Sequence, residues 1–120
     1  MAGAYELYRS GTELLERGDF HAAVVPLRAA RNLHPDKSSV REALGRALFR
    51  TQQYREAAEE FAAVVERAPT NDFALFCLGR SLQLQGRHDD ARKPLALASC
   101  LRPERADYRA YLERARRHAA

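Results

Sequence analysis

Three residue types return along this chain at one fixed interval. Gly11, Gly45 and Gly79 lie 34 residues apart, as do Ala23, Ala57 and Ala91, and again Pro35, Pro69 and Pro103. A period of that length marks a stacked repeat, in which each unit covers an apolar flank of its neighbour, and it restricts the fold before local propensity is consulted. The middle copy, Ser38 to Pro69, carries the pattern most fully.

Within each copy the apolar residues fall at helical spacing. Ala4 to Arg17 reads as a first helix A, with Leu7, Gly11, Leu14 and Leu15 in phase and Gly18-Asp19 as the break. Asp19 is placed to cap a helix B over Phe20 to Leu33, whose Ala23, Leu27 and Ala30 share a face, and Pro35 ends it by pushing His34 out of the α region. In the second copy Asp36 or Ser38 would cap a helix A to about Phe49, turning inward Leu44, Gly45 and Leu48. Thr51-Gln52-Gln53 is the turn, and helix B runs from Tyr54 to Ala68 with Ala57, Phe61 and Val64 inward. The third copy repeats this, with Thr70 or Asn71 as cap, Leu75, Leu78, Gly79 and Leu82 inward, Gln85-Gly86-Arg87 as turn, and Ala91, Leu95 and Ala98 on helix B. One more helix fits from about Glu104 to His118. The small residues allow two antiparallel helices to approach closely while Leu and Phe interlock around the contact. Pro26 and Pro94 sit inside helix B of the first and third copies, and a local kink is expected at each.

The abundance of Ala and Leu agrees with an all-helical chain, and 120 residues suffice for one continuous core. A single domain over residues 1–120 is therefore expected, with repeats at about 4–37, 38–71 and 72–105 and a capping helix at about 104–118. The net charge of +4 would suit nucleic acid, but most of it lies at the carboxy-terminal end, where six arginines from Arg102 to Arg117 face Glu104, Asp107 and Glu113. A polar outer face is what the last helix of a stack needs anyway.

These residues together resemble the tetratricopeptide repeat. The glycine, alanine and proline phases match that family's small-residue and proline positions, and Phe20 and Tyr54 match its aromatic turn position. The departures are His88 at the turn phase and Leu7, Arg41 and Leu75 where the family carries a large aromatic, Arg41 being the least comfortable. The resemblance spans three repeats plus the last helix. It implies a right-handed superhelical solenoid of antiparallel helix pairs, with the A helices lining a concave groove that holds a peptide or partner protein.

If the inward set is right, helical geometry fixes the groove face. It comprises Tyr5, Tyr8, Thr12 and Leu15 in the first repeat, Ser39, Glu42, Arg46 and Phe49 in the second, and Phe73, Phe76, Arg80 and Gln83 in the third. Asp107, Ala110, Arg114 and Arg117 extend it on the last helix, with Arg9, Arg50 and Cys77 on the flank. Aromatic and arginine side chains dominate interface hot spots, and this combination suits an extended segment with acidic and apolar side chains. The plainer reading of Tyr5, Phe73 and Phe76 is that they pad the seams between stacked A helices. The family's carboxylate-clamp subclass uses Lys and Asn at positions held here by Tyr8, Thr12, Ala43, Phe73 and Cys77, so a chaperone tail is not expected as the ligand.

No constellation for catalysis, metal or cofactor emerges. His21, His34, His88 and His118 are scattered, and Glu13/Glu16, Glu59/Glu60 and Asp89/Asp90 read as solvated helix faces with arginines nearby. Cys77 and Cys100 fit neither a disulfide framework nor a metal site, and no base stands beside Cys77 in sequence to activate it. The amino-terminal stretch has no apolar run fit for a signal peptide or membrane span. The expectation is a soluble, cytoplasmic, non-enzymatic adaptor without cofactor or metal. Self-association of the stack, end to end or groove to groove, is the second reading, and nucleic-acid contact through the Arg-rich last helix the third.

Overall fold

The structure, a computed structural model, describes residues 3–118. Among them are seven α-helices and no strand: α1 Ala4–Glu16, α2 Phe20–Leu33, α3 Ser38–Arg50, α4 Tyr54–Arg67, α5 Asp72–Gln83, α6 His88–Leu101 and α7 Ala106–His118. Each packs chiefly on its neighbours in sequence, so α1/α2, α3/α4 and α5/α6 form three antiparallel hairpins and α7 closes the stack. The result is an all-α solenoid, 49 × 24 × 22 Å.

The repeat phases become contacts of one kind. Ala23, Leu27 and Ala30 of α2, Ala57, Phe61 and Val64 of α4, and Ala91, Leu95 and Ala98 of α6 are all buried to within 1% of completely. Each A-helix glycine receives the large residue of its own hairpin partner: Gly11 meets Leu27, Gly45 meets Phe61 and Gly79 meets Leu95.

The A-to-B turns share one backbone device. Gly18, Gln52 and Gly86 occupy equivalent positions, all with positive φ, at 83°, 64° and 78°. Capping differs in detail from the sequence reading. Asn71 caps α5, its side chain accepting from the Ala74 N–H at 3.1 Å. Asp19 stands at the start of α2 without a capping bond, and Lys37, not Asp36 or Ser38, precedes α3, with Ser38 already helical. α2 and α6 run through Pro26 and Pro94 as unbroken helices. The carbonyls that lose their donors belong to Ala22 and Asp90, both exposed near the helix start, where they are open to solvent.

Arg41 and Glu60 correct the sequence reading together. Glu60, taken as part of a solvated face, is 4% exposed. Its carboxylate accepts from Arg31 of α2 at 2.5 Å and from Arg41 of α3 at 3.0 Å, while the Arg41 Nε donates to the Pro35 carbonyl at 2.5 Å. Arginine replaces the expected large apolar side chain because an acid on the next helix, Glu60 of α4, fills the site's other half.

The two ends of the stack are finished differently. Where α3 and α5 bury Val40, Ala43, Ala47 and Ala74 and Ser81, the equivalent α1 positions are Glu6, Arg9 and Glu13, with Arg9 and Glu13 3.5 Å apart. α7 buries Tyr108, Leu112 and Ala115 and turns Arg109, Glu113 and Arg116 outward, where α5 carries Leu75, Gly79 and Leu82. Each end is charged on the face that a further helix would have to cover.

Candidate functional site

The concave side holds an open cavity of about 470 Å³. Its floor comes from α1, α2, α3, α4 and α5, as Leu15, Phe20, Phe49, Phe61, Phe73 and Phe76, and its wall on α7 is Tyr111 with Asp107. Arg46 and Arg50 of α3 and Cys77 and Arg80 of α5 line it. Nine of the residues expected on the groove face or its flank, Leu15, Arg46, Phe49, Arg50, Phe73, Phe76, Cys77, Arg80 and Asp107, therefore converge on one space.

Two of the phenylalanines, Phe49 and Phe76, pack against other rings. The Phe76 ring stacks on Tyr108 with centroids 4.5 Å apart and lies 5.6 Å from that of Tyr111, so it also seals the seam between α5 and α7. Phe49 meets Tyr54 edge-on at 5.4 Å. Phe73 is 38% exposed and free to meet a visitor. Tyr108 is fully buried, and its hydroxyl donates to Asp72 at 2.8 Å.

Arginine and ring pairs set the electrostatics. Arg80 lies 3.9 Å over the Tyr111 ring and Arg114 lies 4.8 Å from the same centroid, while Arg50 covers Phe20 at 4.1 Å. Arg80 donates to Gln83 at 3.0 Å. Burial lowers its pKa, and the charge of Arg114 adds to that. Elsewhere arginines meet acids, as in Arg28–Glu56 at 2.6 Å and Arg116–Glu113 at 3.0 Å. Among the described residues none of Arg46, Arg50, Arg80 and Arg114 has a carboxylate within ion-pair distance. Asp107 does not neutralise them, because Arg105 holds it through two bonds of 2.8 and 3.0 Å and keeps its carboxyl below the ordinary range. The Cys77 thiol is pushed up to about 12, mainly by burial and then by Glu42, against the opposing pull of Arg46 and Arg80. A thiol so disposed stays protonated and inert at neutral pH.

The other expected residues lie elsewhere. Tyr5, Tyr8 and Ser39 line a second cleft at the amino-terminal end with Gly3, His34 and Lys37. Thr12 turns its hydroxyl to the Arg9 carbonyl of its own helix, and Arg9 pairs with Glu13. Arg114 reaches the cavity only through Tyr111, while Arg117 and Ala110 are exposed outside it. Tyr111 was missed, although the period carries a signal for it, since Ala43, Cys77 and Tyr111 share a phase. The structure also brings two of the scattered histidines together, His88 stacking on His118 at 4.8 Å. No group of three metal-ligating side chains exists among the described residues, and no helix among them is long and apolar enough to cross a membrane.

The sequence matches the tetratricopeptide repeat family over residues 8–72 and again over 43–109. No curated protein matches it. Among solved structures, MamA of Desulfovibrio magneticus RS-1 superposes with a TM-score of 0.84 at 24% identity, over 96% of this chain and 71% of its own. MamA MSR-1 gives 0.89 at 24% identity, over 95% of this chain and 66% of its own. The first TPR of Spaghetti (RPAP3), bound to the HSP90 peptide SRMEEVD, gives 0.86 at 16% identity, over 95% of this chain and 90% of its own. At these identities the likeness is one of fold.

Proposed function

The chain belongs to the tetratricopeptide repeat family, and from that premise we propose that it is a non-enzymatic adaptor whose concave cavity holds an extended segment of a partner protein with apolar and acidic side chains. The observation that carries this reading is the meeting of aromatic side chains with guanidinium groups that have no carboxylate of their own, in a cavity of about 470 Å³. Rings supply apolar contact at low conformational cost, and a buried or ring-stacked guanidinium rewards an incoming carboxylate more than a solvated one does. A fold of this kind can hold a peptide, as the Spaghetti domain holds SRMEEVD. The clamp positions of this chain, Tyr8, Thr12, Ala43, Phe73 and Cys77, lack the Lys and Asn of chaperone-tail binders, which favours a different acidic segment. Assembly by end-to-end stacking receives no support from the charged outer faces of α1 and α7.

The test is affinity capture from the native cell extract with the wild-type chain and a Phe73→Ala/Arg80→Gln variant. Phe76 is a poor target because it packs on Tyr108 and Tyr111. Loss of captured partners at unchanged circular dichroism and Tm supports the reading, and an unchanged capture profile refutes it.

A further inference from the structure

Arg46, Arg80 and Arg114 occupy one phase of the repeat, at intervals of 34 residues on α3, α5 and α7. They therefore stand in a row along the concave side, one per A-type helix. Thr12 holds the phase on α1, so the row begins at the second repeat. None of the three has a carboxylate partner among the described residues, whereas nine of the other fifteen arginines do. Two of them, Arg80 and Arg114, approach the same Tyr111 ring at 3.9 and 4.8 Å, an arrangement of like charges that an anion would relieve. Glu42 shares this face, one turn before Arg46, but does not come within ion-pair distance of it.

Spacing turns the row into a reading frame. The guanidinium carbons of Arg80 and Arg114, at 3.9 and 4.8 Å from one ring centroid, lie within about 9 Å of each other, comparable to the 8–10 Å between packed helices. A polyproline II chain advances about 9 Å per turn of three residues and so presents every third side chain on one face, whereas a β-strand turns that side chain to the opposite face. Resting on the groove reading above, we propose that the three guanidiniums recognise a partner segment in the polyproline II conformation with an acidic side chain at every third residue, the intervening apolar side chain entering the cavity beside Phe73. Carboxylates in succession could engage one rung, or two with strain, but not all three. Single-stranded nucleic acid is the less favoured anion, since base stacking needs open ring faces, and here Arg80 covers Tyr111 while Tyr108 covers Phe76.

The experiment is fluorescence anisotropy at low salt with two labelled synthetic peptides of one composition, leucine, proline and three glutamates. One carries glutamate at its first, fourth and seventh residues and the other carries the three in succession. A labelled oligouridylate is the third probe, and Arg46→Gln, Arg80→Gln and Arg114→Gln are the variants. The expected result is binding of the spaced peptide on the order of tenfold tighter than its isomer, with each variant removing most of that advantage and leaving the isomer's affinity nearly unchanged. Equal affinities of the two isomers, both weakened by Phe73→Ala, overturn the three-residue frame while sparing the groove reading. Binding of neither isomer also overturns the frame, and the capture experiment then decides the groove reading separately. Tighter binding of the oligouridylate, lost in the same three variants, overturns the peptide assignment.

Discussion

Gly45 lies so close to Phe61 that a β-carbon added to it would stand 2.9 Å from Cζ and 3.0 Å from Cε2 of a ring with no exposed surface. The same relation joins Gly79 to Leu95, where the added carbon would stand 2.5 Å from Cγ. Alanine gains about 1 kcal/mol of helix propensity over glycine, and overpacking a filled core costs about 1–3 kcal/mol. At Gly79 the overlap falls on the branch point of a buried Leu, which cannot swing aside. Gly79→Ala is therefore expected to lose about 1–2 kcal/mol in urea denaturation and Gly45→Ala less. A gain in stability for Gly79→Ala would contradict the close approach of the two helices.

Gln52 is the one non-glycine residue of positive φ among the described residues, at the turn position that glycine fills in the other two hairpins. A left-handed conformation costs an L-residue roughly 1–2 kcal/mol, and part of that is offset because glycine is more flexible in the unfolded chain. Gln52→Gly should raise stability by up to about 1 kcal/mol, and Gly18→Ala or Gly86→Ala should lower it by a similar amount. Denaturation midpoints of the three variants, measured side by side, check the ordering.

Those turn positions were legible from the period, as were the helix pairs and the inward residues, because the same small residue must recur wherever the same two backbones approach. What failed has a common cause, that a periodic pattern fixes phase within a helix but not what stands opposite. Glu60 is charged and so read as solvated, yet Arg31 and Arg41 reach it from two other helices. Tyr5 and Tyr8 share their phases with Phe73 and Phe76 but open on a separate cleft beside Ser39 and Val40, while Leu15, later in the same helix, reaches the cavity. On α7 the turn of the helix brings Tyr111 to the cavity and leaves Ala110 outside.

The Glu60 site should behave as a buried ion cluster rather than a surface one. Removing one partner from such a cluster costs about 3–5 kcal/mol when it is fully buried, less here because Arg31 and Arg41 keep 24% and 22% of their side-chain exposure. Glu60→Ala is expected to lose about 2–3 kcal/mol, and the Arg41→Leu/Glu60→Leu double variant to recover part of it by filling the site with apolar volume. Glu113→Gln, which breaks a pair more than half exposed on both sides, should stay within about 0.5 kcal/mol of wild type. A Glu60→Ala variant as stable as wild type would show the cluster to be energetically idle.

Alkali should weaken the fold through two protons. Burial, followed by the bond to Asp72, raises the Tyr108 hydroxyl from its ordinary 10 to about 12, and burial with Glu42 raises Cys77 from 9.0 to about 12. In both cases the folded pKa lies above the unfolded one, so the unfolded chain releases its proton first. The stability tied to each proton is thus complete below the unfolded value and falls as pH rises towards 12, from about 9 for Cys77 and about 10 for Tyr108. Urea midpoints should be flat through neutral pH and decline from pH 9 upward. Tyr108→Phe should be less stable than wild type at pH 8, having lost the hydroxyl bond, but should decline less steeply above pH 10. Thiol alkylation at pH 8 gives an independent reading, with exposed Cys100 modified much faster than Cys77. Equal rates at the two cysteines, or parallel pH profiles for wild type and Tyr108→Phe, would mean that these groups are not held as the α5–α7 seam places them.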